Sequence, residues 1–176
     1  MALTETEVEV RAWLDRLAIQ DRIYRYSDAV TRADWKQAAA LFASHAVWEA
    51  PSMGLRCDGV AAIVEMLTET SKMEILVLSA DAPVINLIAA DTAQATTTQH
   101  EWGRGIAAVD LVRDGVMNSR KGEEVMMDVY GVYYDDLAKI DGEWKFTHRL
   151  WVPIYIGTEA VTGAVLTPRS ELLRQE

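Results

Sequence analysis

The second half of the chain constrains the fold most, because it is a succession of long segments with the composition of β-strands. From residue 75 onward, four segments are rich in Val, Ile, Thr, Tyr and Trp, which favour extended backbone. They read PVINLIA, AQATTTQHEWGR, EVMMDVYGVYYDDLAKI and EWKFTHRLWVPIYI. The intervening AADT and IDGE are typical of hairpin turns, so this half predicts an antiparallel sheet of long strands.

The first part of the chain shows helical patterns instead. Apolar residues spaced mostly three or four apart predict one long amphipathic helix with a buried stripe. The stripe comprises Val10, Trp13, Leu14, Leu17, Ile19, Ile23, Tyr26 and Val30. Thr4 and Glu7 have the spacing of a capping box at the start of this helix, and Asp34 is a suitable N-cap for a second, short helix.

Two further segments complete the order of elements. HAVWEAP predicts a strand that stops at Pro51, and GVAAIVEMLTETSK predicts a third helix. Residues 105–122 interrupt the strand pattern and predict a long loop or a short helix. Helices followed by strands indicate an α+β architecture, with three N-terminal helices packed on a curved, mainly antiparallel sheet. The length of 176 residues fits a single domain, residues 1–176.

Charge and cysteine content exclude several classes of function. The chain has 27 acidic and 17 basic residues, a formal net charge of -10, so we expect neither a nucleic-acid nor a membrane partner. Cys57 is the single cysteine, and no Cys/His cluster has ligand spacing, so we predict no metal site. The charged N-terminal segment and the lack of an apolar run of about 18 residues favour a cytoplasmic protein.

Three segments of the chain resemble the SnoaL-like branch of the nuclear transport factor 2-like superfamily. They are AIQDRIYRYSDAVTRADWKQAAALFASHAVWEAP, AADTAQATT and GVYYDDLAKIDGEWKFTHRLW, and with the intervening helix they cover nearly the whole chain. The resemblance implies a cone-shaped α+β barrel that encloses one deep apolar pocket. The branch includes dehydratases, a dehydrochlorinase, isomerases and pure binding modules, and most of its enzymes work without a cofactor. We therefore expect no cofactor.

The dehydratases of this branch use an Asp–His pair, which this chain lacks at the corresponding positions. Their Asp lies four residues before the Trp that opens the second helix, where this chain has Thr31. Their His lies five residues before a proline that begins a strand, where this chain has Leu78. In the bile-acid dehydratase an Arg of the last strand corresponds to Pro153, whereas the site tyrosine is kept as Tyr26.

Two other residues are candidates for the proton acceptor. Asp28 lies about one turn before Thr31, and inside an apolar pocket its raised pKa would make it a usable base. The alternative is that Asp28 pairs with Arg25 or Arg32 in solvent. His100 can exchange a proton near neutral pH, but alternation along its strand turns the small alanines inward and His100 outward, unless a bulge reverses the faces.

Further candidates would hold the substrate. Arg104 would stabilise an oxyanion or else form an ion pair at the rim. Tyr26 and Tyr133 would donate hydrogen bonds to a substrate oxygen, or else pack in the core. Gly131 would leave room for a ligand ring. The residues expected to contact substrate are Thr31, Trp48, Leu78, Gln99, Glu101, Gly131 and Trp151.

These observations predict a cofactor-independent lyase or isomerase that acts on an apolar aromatic or polycyclic small molecule. Proton abstraction in the hydrophobic pocket would be followed by loss of water or of a one-carbon fragment, or by return of the proton. The alternative is a non-catalytic small-molecule-binding or assembly subunit. Trp102, Tyr130 and Tyr134 on the outer face of the sheet predict a homo-oligomer, either a dimer or a trimer.

Overall fold

The computed structural model describes residues 4–69, 73–106, 111–113, 116–119 and 121–159. This part of the chain contains three α-helices: α1 (Glu5–Arg32), α2 (Trp35–Ala40) and α3 (Val60–Glu69). Thr4 and Glu7 form the predicted capping box, and the Asp34 side chain caps α2 as predicted. None of the described helices is both long enough and apolar enough to cross a membrane.

Within the same residues, seven strands form one curved sheet that does not close into a barrel. Its strands are β1 (Phe42–Ala50), β2 (Leu55–Asp58), β3 (Met73–Ala80), β4 (Val84–Leu87), β5 (Thr92–Ile106), β8 (Glu124–Ile140) and β9 (Glu143–Glu159). The spatial order is β2-β1-β9-β8-β5-β3, with β4 also paired to β5. Among the pairings of these seven described strands only β1–β9 is parallel, so the predicted mainly antiparallel α+β architecture is confirmed.

The predicted hairpin turns are confirmed as well. Asp141 and Gly142 both have positive φ, 52° and 83°, as the tight turn between β8 and β9 requires. The turn after β4 is closed by the Ile88 N–H, which donates to the Thr92 carbonyl oxygen over 3.0 Å. The segment 105–122 differs from the predicted loop or short helix, because it includes a two-stranded ribbon of β6 (Leu111–Arg113) and β7 (Val116–Ser119).

The apolar stripe of α1 is buried only in its C-terminal half. Ile19, Ile23 and Tyr26 are at most 2% exposed and pack toward the sheet. The N-terminal half of the predicted stripe is exposed instead, at Val10, Trp13, Leu14 and Leu17. The pattern correctly predicted the helix but not how far the sheet extends beneath it, since burial of a helix face requires a partner element.

Asp15 fastens α1 to the β8–β9 hairpin. Its Oδ1 accepts hydrogen bonds from Lys139 Nζ over 2.5 Å and from Trp144 Nε1 over 2.9 Å. Burial by itself would raise the pKa of the Asp15 carboxyl, but these hydrogen bonds and the charge of Lys139 outweigh it and lower the pKa. The partly buried contact holds the helix over the sheet.

We expect Asp15→Ala to lower the free energy of unfolding by about 2 kcal/mol at neutral pH, since it removes two hydrogen bonds to a charged group. The folded pKa of Asp15 lies below its ordinary value, so the stabilisation is complete above that value and is lost as the pH falls through the folded pKa. Urea unfolding at pH 7 and in acid measures both effects. Asp21→Ala is the matched control, because Asp21 forms a salt bridge with Arg25 in which both side chains are exposed.

Candidate functional site

The inner face of β5 is defined by strict alternation of buried and exposed side chains. Ala93, Ala95, Thr97 and Gln99 are at most 3% exposed, whereas the even-numbered residues between them face out. The pairing of β5 with β8 is unbroken from Thr92 to Ile106, so no bulge reverses the faces. Glu101 is therefore the next inward residue, as the alternation predicted, and it is half-buried.

The inner faces of β8 and β9 continue this surface. On β8, Val129, Tyr133 and Asp135 are buried while Tyr130 and Tyr134 are exposed. On β9 the buried residues include Phe146, Arg149 and Trp151. These burial patterns turn Arg149 inward together with Tyr133, Gly131 and Trp151, three residues that were expected to contact substrate.

An ion pair that is fully buried lies at the centre of this surface. Arg149 Nε donates to Asp135 Oδ1 over 2.7 Å and Nη2 donates to Oδ2 over 2.8 Å, a bidentate contact. The guanidinium carbon also lies 4.1 Å from the ring centroid of Tyr26, 4.3 Å from that of Tyr133 and 3.9 Å from that of Phe146. The three aromatic rings and the carboxylate surround a permanent positive charge inside the protein.

Burial changes the acidity of these groups. Burial alone would lower the pKa of Arg149, but the charge and hydrogen bonds of Asp135 outweigh it and raise the pKa. Burial raises the pKa of Tyr26 and, more strongly, of Tyr133, and the negative charge of nearby Glu101 adds to both shifts. Both hydroxyls are therefore protonated at neutral pH and can act as hydrogen-bond donors.

Several buried polar atoms on the same surface have no hydrogen-bond partner among the described residues. They are Trp48 Nε1, Thr97 Oγ1, Gln99 Nε2 and Oε1, Arg149 Nη1 and Trp151 Nε1. We call these five residues the inner polar cluster. Buried polar groups are normally satisfied, and leaving one unsatisfied costs about 1 to 3 kcal/mol. Four of these six atoms are N–H donors, so the inner polar cluster is rich in donors.

Gly131 allows two members of the inner polar cluster to approach each other. A Cβ at this position would lie 2.5 Å from Trp151 Nε1 and 3.3 Å from Gln99 Nε2. The room that we expected Gly131 to leave for a ligand ring is thus occupied by the Trp151 indole. The Trp48 ring lies beside Trp151, with centroids 6.3 Å apart. The two indoles form one wall of the site.

The two positions that hold Asp and His in the dehydratases lie together in this structure. The Leu78 N–H donates to Thr31 Oγ1 over 3.0 Å, which joins α1 to β3. Leu78 is also the direct cross-strand partner of Glu101 in the β3–β5 register. Residues 31 and 78 therefore meet beside Glu101, although neither carries a side chain that titrates.

Asp28, the first candidate base, lies on the outer side of α1. Its carboxylate accepts hydrogen bonds from Arg32 Nη2 over 2.9 Å and from Gln37 Nε2 over 3.0 Å, and half of the side chain is exposed. Partial burial would raise the pKa of Asp28, but Arg32 and Gln37 outweigh it and lower the pKa. The structure therefore selects the solvated alternative for Asp28.

His100 and Arg104 also lie outside the site. His100 Nε2 is 2.6 Å from Asp128 Oδ1, and its ring stacks on Tyr130 on the outer face of the sheet, with centroids 4.3 Å apart. Arg104 pairs with Glu124 over 3.1 Å, which is the rim ion pair that was the alternative to an oxyanion contact. The even-numbered residues of β5 face outward, so these two side chains point away from the inner polar cluster.

The structure brings together residues that the sequence interpretation did not combine. The pairing of Asp135 with Arg149 was not predicted, and neither were the parts played by Thr97 and Phe146. The hairpin turn at residues 141 and 142 gives no signal for the pairing, because the β8–β9 register shifts between Asp136 and Leu137. In the described part of the chain, no group of three His, Cys, Asp or Glu side chains has an arrangement that would hold a metal ion.

We expect Arg149→Met and Asp135→Leu each to lower the free energy of unfolding by about 3 to 5 kcal/mol, since each leaves an uncompensated buried charge. The double variant should lose clearly less than the sum of the two, because no charge then remains unpaired. Urea unfolding of the four proteins gives the coupling energy. Additive losses would contradict a direct interaction between the two groups.

Comparison with known proteins identifies the family. The model of the SnoaL-like domain matches residues 11–150, well over half of the chain. A search of curated protein sequences gives no match. Among solved structures, a scytalone dehydratase-like protein from Novosphingobium aromaticivorans is 19% identical, with a TM-score of 0.70 over 89% of this chain and 95% of that chain.

Two other solved structures show the same fold. A hexachlorocyclohexane dehydrochlorinase of LinA type 3 from Novosphingobium barchaimii is 16% identical, with a TM-score of 0.71 over 90% of this chain and 99% of that chain. A protein of unknown function from Mycobacterium tuberculosis is 18% identical, with a TM-score of 0.63 over 87% and 78% of the two chains. The chain therefore belongs to the SnoaL-like domain family, within the nuclear transport factor 2-like superfamily.

Proposed function

We propose that this protein is a cofactor-independent lyase or isomerase that acts on an apolar aromatic or polycyclic small molecule. The observation that supports this most directly is the inner polar cluster, in which buried donors without partners sit among aromatic walls. Two structural neighbours are named for a dehydratase and a dehydrochlorinase, so elimination is the preferred reaction. The single cysteine is compatible with a cytoplasmic location.

The chemistry of the cluster favours a substrate that carries oxygen acceptors on a flat ring. The indole N–H groups of Trp48 and Trp151 and the free Nη1 of Arg149 can only donate. The surrounding rings of Tyr26 and Tyr133 offer apolar area and hydroxyl donors. The oxygen of a ring ketone could accept hydrogen bonds from these donors. It would thereby offset the free-energy cost of burying them without a partner.

The same donors would assist removal of a proton next to the carbonyl. As the C–H bond breaks, negative charge develops on the carbonyl oxygen, and preorganised donors in a dry interior stabilise that charge. Arg149 contributes a fixed positive charge that needs no reorganisation, because Asp135 and three rings already hold it. Expulsion of a hydroxyl group from the neighbouring carbon then completes the elimination.

A non-catalytic binding subunit is the second candidate, and it rests on a specific observation. Positions 31 and 78 carry a threonine that bonds to the backbone and a buried leucine. An apolar site without the Asp–His pair would still bind a flat ligand through the inner polar cluster. Tight binding without turnover would favour this candidate over the lyase.

We expect the protein to dehydrate a benzo-fused cyclic β-hydroxy ketone to the corresponding naphthol, a product with strong fluorescence. Asp28→Asn and His100→Ala should each change kcat/KM by less than about threefold, because both side chains point away from the site. If kcat/KM falls about tenfold or more in either variant, the substituted residue takes part in catalysis after all. Quenching of the tryptophan fluorescence by the ketone, to which Trp48 and Trp151 in the site should contribute, measures binding independently of turnover.

Association of subunits through the outer face of the sheet is part of the same proposal. The supporting observation is a run of exposed apolar side chains on β8 and β9. Its members are Tyr130, Tyr134, Val152, Ile154 and Tyr155, which are 40 to 65% exposed. Such an aromatic surface is typical of subunit interfaces.

We expect Ile154→Lys to shift a homodimer or homotrimer toward monomer in sedimentation velocity, because it buries a charge in the interface. Leu14→Lys is the matched control, since Leu14 is similarly exposed at 60% but lies on α1, which packs on the opposite face of the sheet. A wild-type protein that is monomeric at high micromolar concentration would contradict the proposed assembly.

A further inference from the structure

We infer that Glu101 is the base that takes the proton from the substrate carbon, in the place of the missing Asp–His pair. This inference rests on the proposed function and names a catalytic residue for it. Glu101 was expected only to contact substrate, and the structure supports a more specific role through its position, its neighbours and its partial burial.

The position of Glu101 on the sheet supports this role. It is the inward residue that follows Gln99 on β5, about 7 Å along the strand from a member of the inner polar cluster. Its direct partner on β3 is Leu78, so the two Cβ atoms are about 5 Å apart on the same face. Thr31 bonds to the Leu78 N–H, and the carboxylate therefore stands where α1, β3 and β5 meet.

The second inward-facing carboxylate near the site is already bonded to Arg149. Among the described residues of β5 and β8, the inward-facing carboxylates are Glu101 and Asp135. Asp135 is held by two hydrogen bonds from Arg149, and protonating it would leave the guanidinium without its counterion. Glu101 is half-buried, so its carboxylate is partly shielded from solvent and still accessible to a bound substrate.

The groups that face Glu101 complete an acid–base arrangement. Its charge acts on the hydroxyls of Tyr26 and Tyr133, which lie together under the Arg149 guanidinium. A substrate whose carbonyl oxygen points to these donors places the neighbouring carbon toward the outer end of the site, on the side of Glu101. The base and the oxyanion donors then lie at opposite ends of the same reacting unit.

Every proton and electron pair in this elimination is supplied and accepted by Glu101 or by the substrate. Glu101 takes the proton from the carbon next to the carbonyl, and the electron pair of that C–H bond forms a C=C bond with the carbonyl carbon as the oxygen becomes an enolate. When the enolate collapses, the double bond shifts to the carbon that bears the hydroxyl group, and that C–O bond breaks. The leaving oxygen takes the proton from the Glu101 carboxyl, so water is released and Glu101 returns to its carboxylate form.

The test compares wild type, Glu101→Gln and Glu101→Ala in two assays. One is dehydration of the benzo-fused β-hydroxy ketone, and the other is exchange of the α-protons of the parent tetralone in D2O, followed by NMR. We expect Glu101→Gln to lower both rates about a hundredfold or more, which is the typical contribution of a general base. Glu74→Gln is the matched control on β3, because Glu74 is exposed and faces outward.

A binding measurement separates a catalytic carboxylate from a structural one. Glu101→Gln resembles the protonated glutamic acid that exists beside the enolate, so it should bind naphthol in its anionic form at least as tightly as wild type does. A merely structural glutamate would instead weaken binding and lower the melting temperature together. Either that result or a residual activity above about one tenth in Glu101→Gln would overturn the inference while leaving the proposed function intact.

Failure of the proposed function has a different signature. If the wild type binds tetralone but accelerates neither exchange nor dehydration, the lyase proposal fails and the assignment of Glu101 fails with it. If the wild type neither binds nor converts these ketones, the assigned substrate class is overturned, and the role of Glu101 that depends on it falls as well.

Discussion

The buried pair of Asp135 and Arg149 is the constraint on which the rest of the site depends. Burying the two charges costs their hydration free energy, and the close, bidentate contact offsets this cost. The β8–β9 hairpin must therefore keep the register that sets the two residues opposite each other. The same register places Tyr133 opposite Trp151, and α1 must supply Tyr26 to cover the guanidinium. One interaction thus couples a helix, two strands and the aromatic walls.

The pair also determines the electrostatic character of the interior. Asp135 accepts hydrogen bonds from Nε and Nη2 of Arg149, which leaves Nη1 without a hydrogen-bond partner among the described residues. With the two indole N–H groups and two protonated tyrosines, the inner end of the site is rich in donors. Glu101 provides the opposite charge toward the outer end. Under the proposed function, this distribution of charge would orient a polar substrate group before any reaction occurs.

Sequence alternation predicted the faces of the long strands, because each side chain of a strand simply follows the pleat. It could not predict the central ion pair. Counting from the turn at Asp141 and Gly142 in an unbroken ladder would set Asp135 opposite His148. The register shifts by one residue at Thr147, where the side chain donates to the Asp136 carbonyl oxygen, and this bulge brings Arg149 opposite Asp135. Bulges depend on contacts between strands and leave little trace in a periodic pattern.

The helical period predicts the direction of the Asp28 side chain. It does not predict which residue supplies an acidic group to the interior. Tyr26 faces the interior, and a residue two positions later is rotated by about 200°, which turns Asp28 to solvent. At the family's acidic position this chain has Thr31, whose hydroxyl oxygen accepts a hydrogen bond from the Leu78 N–H and so links α1 to β3. An acidic group at this junction must therefore come from the sheet. The inward residue of β5 beside Leu78 is Glu101. At this junction the acidic side chain therefore lies on a strand and not on the helix.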